Sequence, residues 1–197
     1  FATGRLSESE QQVAAWIAGE ANWPSRAAIT AHQSGLSDRH ELRYPLAHQA
    51  LITQYSERHA LNPSWVLGLT RSESLFMHDI RSPAGAIGLM QIMPNTGRSL
   101  AKTLNVPWRG NLTLIDPTVN VRFGTYYLKQ QLERFGHPAL ATAAYNAGPN
   151  RVTTWLPAAP LALDLWVATI PYSETRNYVQ RVLTAQVIYE WRYNSKI

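Results

Sequence analysis

Residues 62–93 read NPSWVLGLTRSESLFMHDIRSPAGAIGLMQIM and divide into two parts of opposite character. Asn62-Pro63 is a strong helix start, because asparagine caps the free amides of a first turn and proline fits the first helical position. The predicted helix runs to about Leu75. From Asp79 to Met93 the helical pattern stops, and one proline with two glycines predicts a loop that contains a small hairpin.

Glu73 is the polar residue that interrupts the apolar face of this helix. The positions three, four and seven residues before it are Thr70, Leu69 and Val66. Burial of a carboxylate is costly and raises its pKa when no partner is near. A carboxylic acid that stays protonated near neutral pH can donate a proton to a leaving oxygen. The spacing alone leaves two alternatives open: Glu73 pairs with Arg71 or Arg81, or it lies in water at a frayed helix end.

The remaining sequence predicts a series of helices separated by proline and glycine. They run from Ser7 to about Glu20, from Pro24 to near Gly35, from Pro45 to about His59, from Pro94 onward, from Asp116-Pro117 to Gly136, from Pro138 to Asn146 with Gly148-Pro149 as its end, and from Ser173 onward. Residues 38–44 are polar and predict a linker turn. We therefore expect a small helical appendage over residues 1–43 and a compact helical domain over residues 44–197.

The composition argues against several classes of function. The chain has 197 residues, a formal net charge of +5 and no cysteine. Its basic residues are scattered, which favours a solvated basic surface over a nucleic-acid interface. Thiol chemistry and disulfides are excluded, and the histidines lack metal-ligand spacing, so no metal or cofactor is expected. No apolar run of about 18 residues is present, so no stable membrane insertion is expected.

Four blocks of the sequence, in order, resemble the soluble lytic transglycosylases, which are related to goose-type lysozyme. The blocks are RYPLA at 43–47, ES at 73–74 followed by SPAGAIGLMQIMP at 82–94, AAYNAGP at 143–149, and IPYSETRNY at 170–178. The resemblance implies a mainly α, lysozyme-like catalytic domain with a small antiparallel β element beside the cleft. Residues 1–43 resemble the end of the helical linker domain that precedes it, so a fragment of a longer protein is expected, with a naturally short relative as the alternative.

The resemblance also implies roles for single residues. Glu73 matches the one catalytic carboxylate of the family, and the adjacent Ser74 helps to hold it. The other matched positions are grouped with Ser74 as substrate-binding residues: Ser82 beside the acetamido group of the attacked sugar, Gln91 and Met93 in the glycan groove, Tyr145 and Asn146 facing the acid and its sugar, and Glu174 as a second glutamate in the groove.

Four of these residues also have a purely structural explanation. Gln91 pairs with the loop backbone in that alternative, and Met93 lies in the core. Asn146 is typical of a helix end, and Glu174 of a helix first turn, where an acid stabilises the helix dipole.

The implied activity is non-hydrolytic cleavage of the β-1,4 bond between N-acetylmuramic acid and N-acetylglucosamine, which gives 1,6-anhydromuramoyl products. Glu73 acts first as acid and then as base, so no second carboxylate is needed, unlike in ordinary glycosidases. The expected partner is the peptidoglycan glycan strand, the expected location the periplasm, and the expected state a monomer. Two alternatives stay open: a hydrolytic goose-type lysozyme and a non-catalytic glycan-binding module.

Overall fold

The computed structural model describes residues 6–159 and 161–194, and this part of the chain is mainly helical. Its helices are α1 (Glu8–Glu20), α2 (Pro24–Gln33), α3 (His40–Arg43), α4 (Gln49–Arg58), α5 (Pro63–Ser74), α6 (Pro94–Thr103), α7 (Leu112–Ile115), α8 (Pro117–Phe135), α9 (Pro138–Ala147), α10 (Pro149–Trp155), α11 (Leu163–Thr169) and α12 (Ser173–Asn194). Within the described residues no helix is long and apolar enough to cross a membrane.

The helix starts predicted from capping residues are found where expected. Ser7 forms a complete capping box with Glu10 at the start of α1. The side chain of Asn62 accepts a hydrogen bond from the Ser64 amide, and Asp116 caps α8 in the same way. Each of these caps satisfies amides that have no partner inside the helix.

The prediction of a helix starting at Pro45 is wrong by one turn. The segment from Pro45 to His48 is not helical, and α4 begins only at Gln49. His48 has φ of 53°, in the left-handed region that few non-glycine residues adopt. Upstream of it, the Tyr189 hydroxyl donates to the Pro45 carbonyl at 3.1 Å, which ties this segment to α12. Tertiary contact therefore competes here with the local helix signal of proline.

Four short helices were not predicted, and one of them, α7, lies between α6 and the predicted helix start at Asp116. The polar turn expected over 38–44 contains α3, and the Pro-rich region after residue 148 contains α10 and α11. Helices of four to seven residues are marginal by propensity alone and depend on packing. Val152 of α10 and Trp166 of α11 are both buried in a cluster with Val179 of α12, which supplies that packing.

The main core surrounds α5, which packs against α12. Gly68 allows this approach, because a Cβ at that position would lie 2.8 Å from the carbonyl oxygen of Val182. Trp65 is buried on the same helix, and its indole N–H donates to the Thr142 hydroxyl of α9 at 2.9 Å. Helix α5, which carries Glu73, is thus held against both α12 and α9.

Helices α1 to α3 have a small core of their own, built around Ala15, Ala27 and Leu42. This cluster lies on the N-terminal side of residue 43, whereas the clusters around α5 and α11 are built from residues after it. The boundary between residues 43 and 44 remains a prediction, to which the separate clusters lend support.

The small antiparallel element expected within residues 79–93 is present as two isolated bridges, Arg81 with Ile87 and Ile87 with Ile92. Ile87 and Ile92 exchange two backbone hydrogen bonds, at 3.1 and 3.0 Å. Ile87, Leu89 and Met90 point into the core, so the loop is anchored by apolar side chains as well as by its backbone. We refer to residues 79–93 as the glycan-side loop, because the resemblance implies that Gln91 and Met93 in it line the glycan groove.

Candidate active site

Glu73 lies one residue before the end of α5, and its side chain is partly buried. The Tyr178 hydroxyl of α12 donates to its Oε1 at 2.5 Å. Neither arginine considered as a partner forms an ion pair with it among the described residues. The Nε of Arg71 instead donates to the Arg43 carbonyl at 2.8 Å, and Arg81 is exposed on the loop.

Burial raises the pKa of Glu73 to about 7. The hydrogen bond from Tyr178 and the positive charge of Arg181 act in the opposite direction, and the negative charge of Glu174 adds a smaller upward contribution. Near neutral pH the carboxyl group therefore exists in both protonation states. A group in this condition can give up a proton and take one back with little cost in either direction.

Two tyrosines beside Glu73 stay protonated and act as hydrogen-bond donors. Burial raises the pKa of both Tyr178 and Tyr145 well above the ordinary value, and the nearby charge of Glu73 raises both further. The Tyr145 hydroxyl donates to the Met90 carbonyl of the glycan-side loop at 2.8 Å. Its ring meets that of Tyr127 edge to face, with 5.3 Å between the centroids.

Ser74 is buried and does not face the open cleft. Its hydroxyl donates to the Leu89 carbonyl at 2.7 Å and accepts from the Phe76 amide at 3.1 Å. The chain turns sharply after it, since Leu75 and Phe76 both have positive φ, 49° and 64°. This placement supports the expected role of holding the Glu73 turn, rather than the direct sugar contact implied by its grouping with the substrate-binding residues.

The other predicted residues of the glycan-side loop differ in their surroundings. The Ser82 hydroxyl accepts from the Ala86 amide at 3.0 Å. The side-chain nitrogen of Gln91 donates to the Gly88 carbonyl at 2.9 Å and to the Ile80 carbonyl at 3.3 Å, which is the backbone pairing of the structural alternative. Met93 is 44% exposed, so the structural alternative that placed it in the core is wrong.

Asn146 and Glu174 lie together in a cleft of about 410 Å³ between the end of α9 and the start of α12. The Asn146 side-chain carbonyl accepts from the Thr175 hydroxyl at 2.7 Å, which joins the two helices. Glu174 is exposed in the first turn of α12, where its charge also favours the helix dipole. We refer to this as the α9–α12 cleft.

Arg151 and Tyr172 also line the α9–α12 cleft and were not singled out from the sequence. Tyr172 is 47% exposed, with the Arg151 guanidinium 5.4 Å from its ring centroid and the Trp155 ring edge-on at 5.2 Å. An exposed aromatic ring held from two sides is a preformed surface for a flat, partly apolar ligand. The sequence signal for it was the tyrosine within the quoted block at 170–178.

Tyr178 was likewise quoted within that block but given no role. Its spacing of four residues from Val182 places both on the buried face of α12, a position at which tyrosine is usually a core residue. Asp79, the carboxylate nearest to Glu73 in the sequence, is exposed on the glycan-side loop. Within the described residues, no group of three or more His, Asp or Glu side chains could hold a metal ion.

The chain matches two family models and is similar to known proteins over most of its length. The family model described as the transglycosylase SLT domain matches residues 50–160, and the soluble lytic transglycosylase helical domain model matches residues 169–196. The soluble lytic murein transglycosylase of Salmonella typhimurium is 38% identical over 187 residues, covering 93% of this chain and 29% of the relative. The Escherichia coli K12 protein of the same description is 36% identical over 194 residues, covering 96% and 30%.

Two solved structures are similar over nearly the whole chain. The lytic transglycosylase Slt of Pseudomonas aeruginosa, in an inactive glutamate-to-glutamine mutant form, superposes with a TM-score of 0.93 at 40% identity, covering 98% of this chain and 32% of that one. The 70 kDa soluble lytic transglycosylase of Escherichia coli, in complex with bulgecin A, gives a TM-score of 0.91 at 35% identity, covering 96% and 31%.

The chain therefore belongs to the transglycosylase SLT domain family, and the expected lysozyme-like, mainly α fold is confirmed. It spans about 30% of the length of the curated relatives it matches.

Proposed function

We propose that this chain is the catalytic domain of a peptidoglycan lytic transglycosylase, with Glu73 as its acid and base. The observation that carries the proposal is the carboxyl group of Glu73, partly buried, bonded to Tyr178, and with its pKa raised by burial to about 7. A single carboxyl that changes protonation state at the working pH suits a reaction with one acid step and one base step. The names of the relatives support the same reaction class.

In the first step, Glu73 protonates the oxygen of the bond between muramic acid and glucosamine, and the C1–O bond breaks. The acetamido oxygen of the same muramic acid bonds to C1, so the developing positive charge is held within the substrate. In the second step, the Glu73 carboxylate takes the proton of the C6 hydroxyl, and O6 attacks C1 as the acetamido oxygen leaves. The enzyme returns to its starting state and no water is consumed.

The reacting groups belong to one sugar, so the entropic cost of bringing a nucleophile to C1 is low. The protein has to stabilise the ionised carboxyl between the two steps, and Tyr178 is placed to do so, since its hydroxyl already donates to Oε1. The Tyr178 phenol keeps its proton, because burial and the charge of Glu73 raise its pKa. Tyr178 thus acts as a fixed donor rather than as a second acid.

The glycan strand lies, in this proposal, along the surface formed by the glycan-side loop and the α9–α12 cleft. Ser82, Gln91 and Met93 contact it from the loop. Tyr145 and Asn146 contact the sugar at the acid, and Glu174 contacts a neighbouring sugar. Ser74 is assigned to holding the Glu73 turn, since its hydroxyl is engaged with Leu89 and Phe76.

The proposed substrate also indicates the partner and the cellular location of the enzyme. Peptidoglycan is the proposed partner, and the periplasm of a Gram-negative cell envelope is the proposed location, in keeping with the organisms of the relatives. The chain is proposed to act as a monomer, because all residues assigned to the reaction come from one copy. Its net charge of +5 favours adsorption to an acidic wall polymer.

Digestion of purified sacculi, followed by mass spectrometry of the released muropeptides, tests the reaction class. We expect muramoyl ends that are lighter than reducing ends by one water. Reducing ends instead would identify a hydrolytic muramidase, and no release at all would favour a non-catalytic glycan-binding module.

Glu73→Gln is the matched control for the same digestion, because it keeps the size and the acceptor oxygen but removes the proton. We expect it to slow release of fragments by about 10³-fold, within the range for loss of a general acid–base group. Asp79→Asn removes the carboxylate nearest to Glu73 in the sequence and should change the rate less than twofold.

A further inference from the structure

Asn120 of α8 is a fully buried polar residue to which nothing above assigns a role. None of its surface is exposed. Its side-chain nitrogen donates to the Ile87 carbonyl at 2.9 Å and to the Leu114 carbonyl at 2.8 Å. Its side-chain oxygen accepts from the Met90 amide at 2.8 Å. Both donor hydrogens and the acceptor are therefore used on backbone groups outside its own helix.

The backbone of the glycan-side loop lies directly on this amide. Gly88 has φ of 83°, and a Cβ at that position would lie 2.3 Å from the side-chain nitrogen of Asn120 and 2.4 Å from the Leu114 carbonyl oxygen. Real Cβ atoms do not approach other atoms so closely, so only glycine fits between the two. The position of the loop is therefore fixed by the hydrogen bonds of Asn120 and by the absence of a side chain at Gly88.

Two hydrogen bonds connect Asn120 through the loop to Tyr145, which lies close to Glu73. Asn120 binds the N–H of Met90, and the carbonyl of Met90 accepts from the Tyr145 hydroxyl at 2.8 Å. Tyr145 is close enough for its pKa to respond to the charge of Glu73. On the other side of the loop, Ser74 binds the Leu89 carbonyl. The loop is thus held by side chains from three helices, α5, α8 and α9.

We propose that Asn120 is a positioning residue for the reaction: it fixes residues 87–90, so that Tyr145 is oriented beside Glu73 and Gln91 and Met93 face the glycan. This inference rests on the function proposed above and assigns Asn120 no contact with substrate. An amide is required, since it offers two donors and one acceptor on a side chain of this length. An apolar side chain would leave the Ile87 and Leu114 carbonyls without this donor in the core, and a carboxylate would repel them.

Asn120→Asp tests the proposal, because it preserves shape and exchanges both donors for oxygen. We expect kcat on solubilised glycan strands at pH 7.5 to fall by roughly tenfold to 100-fold, the scale of a small displacement of catalytic groups. The loss should shrink as the pH is lowered to 5, where the introduced carboxyl is protonated and regains one donor. The ratio of variant to wild-type kcat is the quantity followed, since the titration of Glu73 is common to both proteins.

Thr125→Val is the matched control, because Thr125 is equally buried on α8 but its hydroxyl donates to the Val121 carbonyl of the same helix, at 2.7 Å. It should leave kcat within twofold of wild type at both pH values. The proposal is overturned if Asn120→Asp keeps its kcat, if its loss is independent of pH in folded protein, or if the loss only follows the folded fraction measured by circular dichroism. An inactive wild-type chain would instead count against the proposed function.

Gly88→Ala provides a second test, which also serves if Asn120→Asp does not fold. It pushes the loop away from Asn120 and leaves the amide intact, and we expect kcat to fall at least tenfold. Gly110→Ala is its control, because Gly110 also has positive φ, 67°, but no atom lies within 4 Å of the added Cβ. Equal losses in the two variants would show that backbone strain, and not displacement from Asn120, is responsible, and would overturn the proposal.

Discussion

The two surfaces proposed to hold the glycan are built in opposite ways. In the glycan-side loop, polar side chains are used to hold the protein itself: Gln91 binds loop carbonyls and Ser82 binds a loop amide. In the α9–α12 cleft, Glu174 and Tyr172 are exposed, and the cleft between them is open. The polar side chains of the loop are thus bonded within the protein, whereas those of the cleft are exposed to solvent.

This difference suggests separate roles: the loop orients the groups around Glu73, and the cleft contributes affinity for the glycan. Substitutions that loosen the loop change the geometry around Glu73 and should act mainly on kcat. Substitutions in the cleft remove contacts that are made equally in the ground state and the transition state, and these should act mainly on KM. The predictions below test whether the two sets of residues divide in this way.

Among the substitutions that compare the loop with the cleft, the largest effect is expected from Ser74→Ala. It leaves the Leu89 carbonyl and the Phe76 amide without a partner in the core, which should lower the free energy of unfolding by about 1–3 kcal/mol. The turn that carries Glu73 loses its tie to the loop, so kcat should fall on the order of tenfold. Chemical denaturation and initial rates of fragment release measure the two quantities.

Ser72→Ala is the control on the other side of Glu73. Its hydroxyl donates to the Gly68 carbonyl within α5, at 2.8 Å, so its loss breaks no contact with the loop. It should change stability by less than about 0.5 kcal/mol, the usual range for substitutions away from special features, and leave kcat unchanged. A kcat loss as large as that of Ser74→Ala would show that tying the turn to the loop is not what matters.

Tyr178→Phe should move the pH profile. The Tyr178 hydroxyl stabilises the ionised form of Glu73 and so lowers its pKa from the value that burial alone would give. Without it the pKa rises further, and the protonated acid persists to higher pH. Since the first step needs the protonated form, the alkaline limb of the kcat profile should shift to higher pH. The protonated group is then a weaker acid, and the carboxylate formed between the two steps loses its fixed donor, so kcat at its optimum should fall several-fold, toward the lower end of acid–base effects.

Tyr189→Phe is the matched control, because Tyr189 is also a buried tyrosine of α12 but donates to the Pro45 carbonyl. It should leave the alkaline limb in place. An alkaline limb that shifts to lower pH in Tyr178→Phe would contradict the assigned hydrogen bond. The loss of a donor to the Glu73 carboxylate can only raise the pKa of that group.

Features that depend on local patterns could be predicted from the sequence. Glu73 was identified because it interrupts an apolar helical face, a local pattern that one sequence can carry. The caps at Ser7, Asn62 and Asp116 were predicted for the same reason, since a cap bonds within three residues. The fold class followed from these starts together with the ordered motif blocks.

Residues whose roles depend on distant partners were missed. Asn120 bonds to backbone groups 30 and 33 residues away, and no periodicity marks such a contact. Tyr178 meets Glu73 across 105 residues, and on the buried face of its helix it resembles any core tyrosine. The start at Pro45 was wrong because docking on α12 competes with the local preference of proline.

The smallest effect is expected in the α9–α12 cleft. Tyr172→Ala removes an exposed ring that is held in place by Arg151 and Trp155, and with it an apolar surface for a sugar ring. We expect KM on solubilised glycan strands to rise about threefold to tenfold, or roughly 1 kcal/mol of lost contact, with kcat within twofold. Tyr172→Phe keeps the ring and should restore most of the affinity. Trp23→Ala removes a comparably exposed aromatic beside α1 and should change neither constant. A fall in kcat with unchanged KM in Tyr172→Ala would remove the distinction between the loop and the cleft, because it would assign orientation to a residue that holds no part of the Glu73 turn.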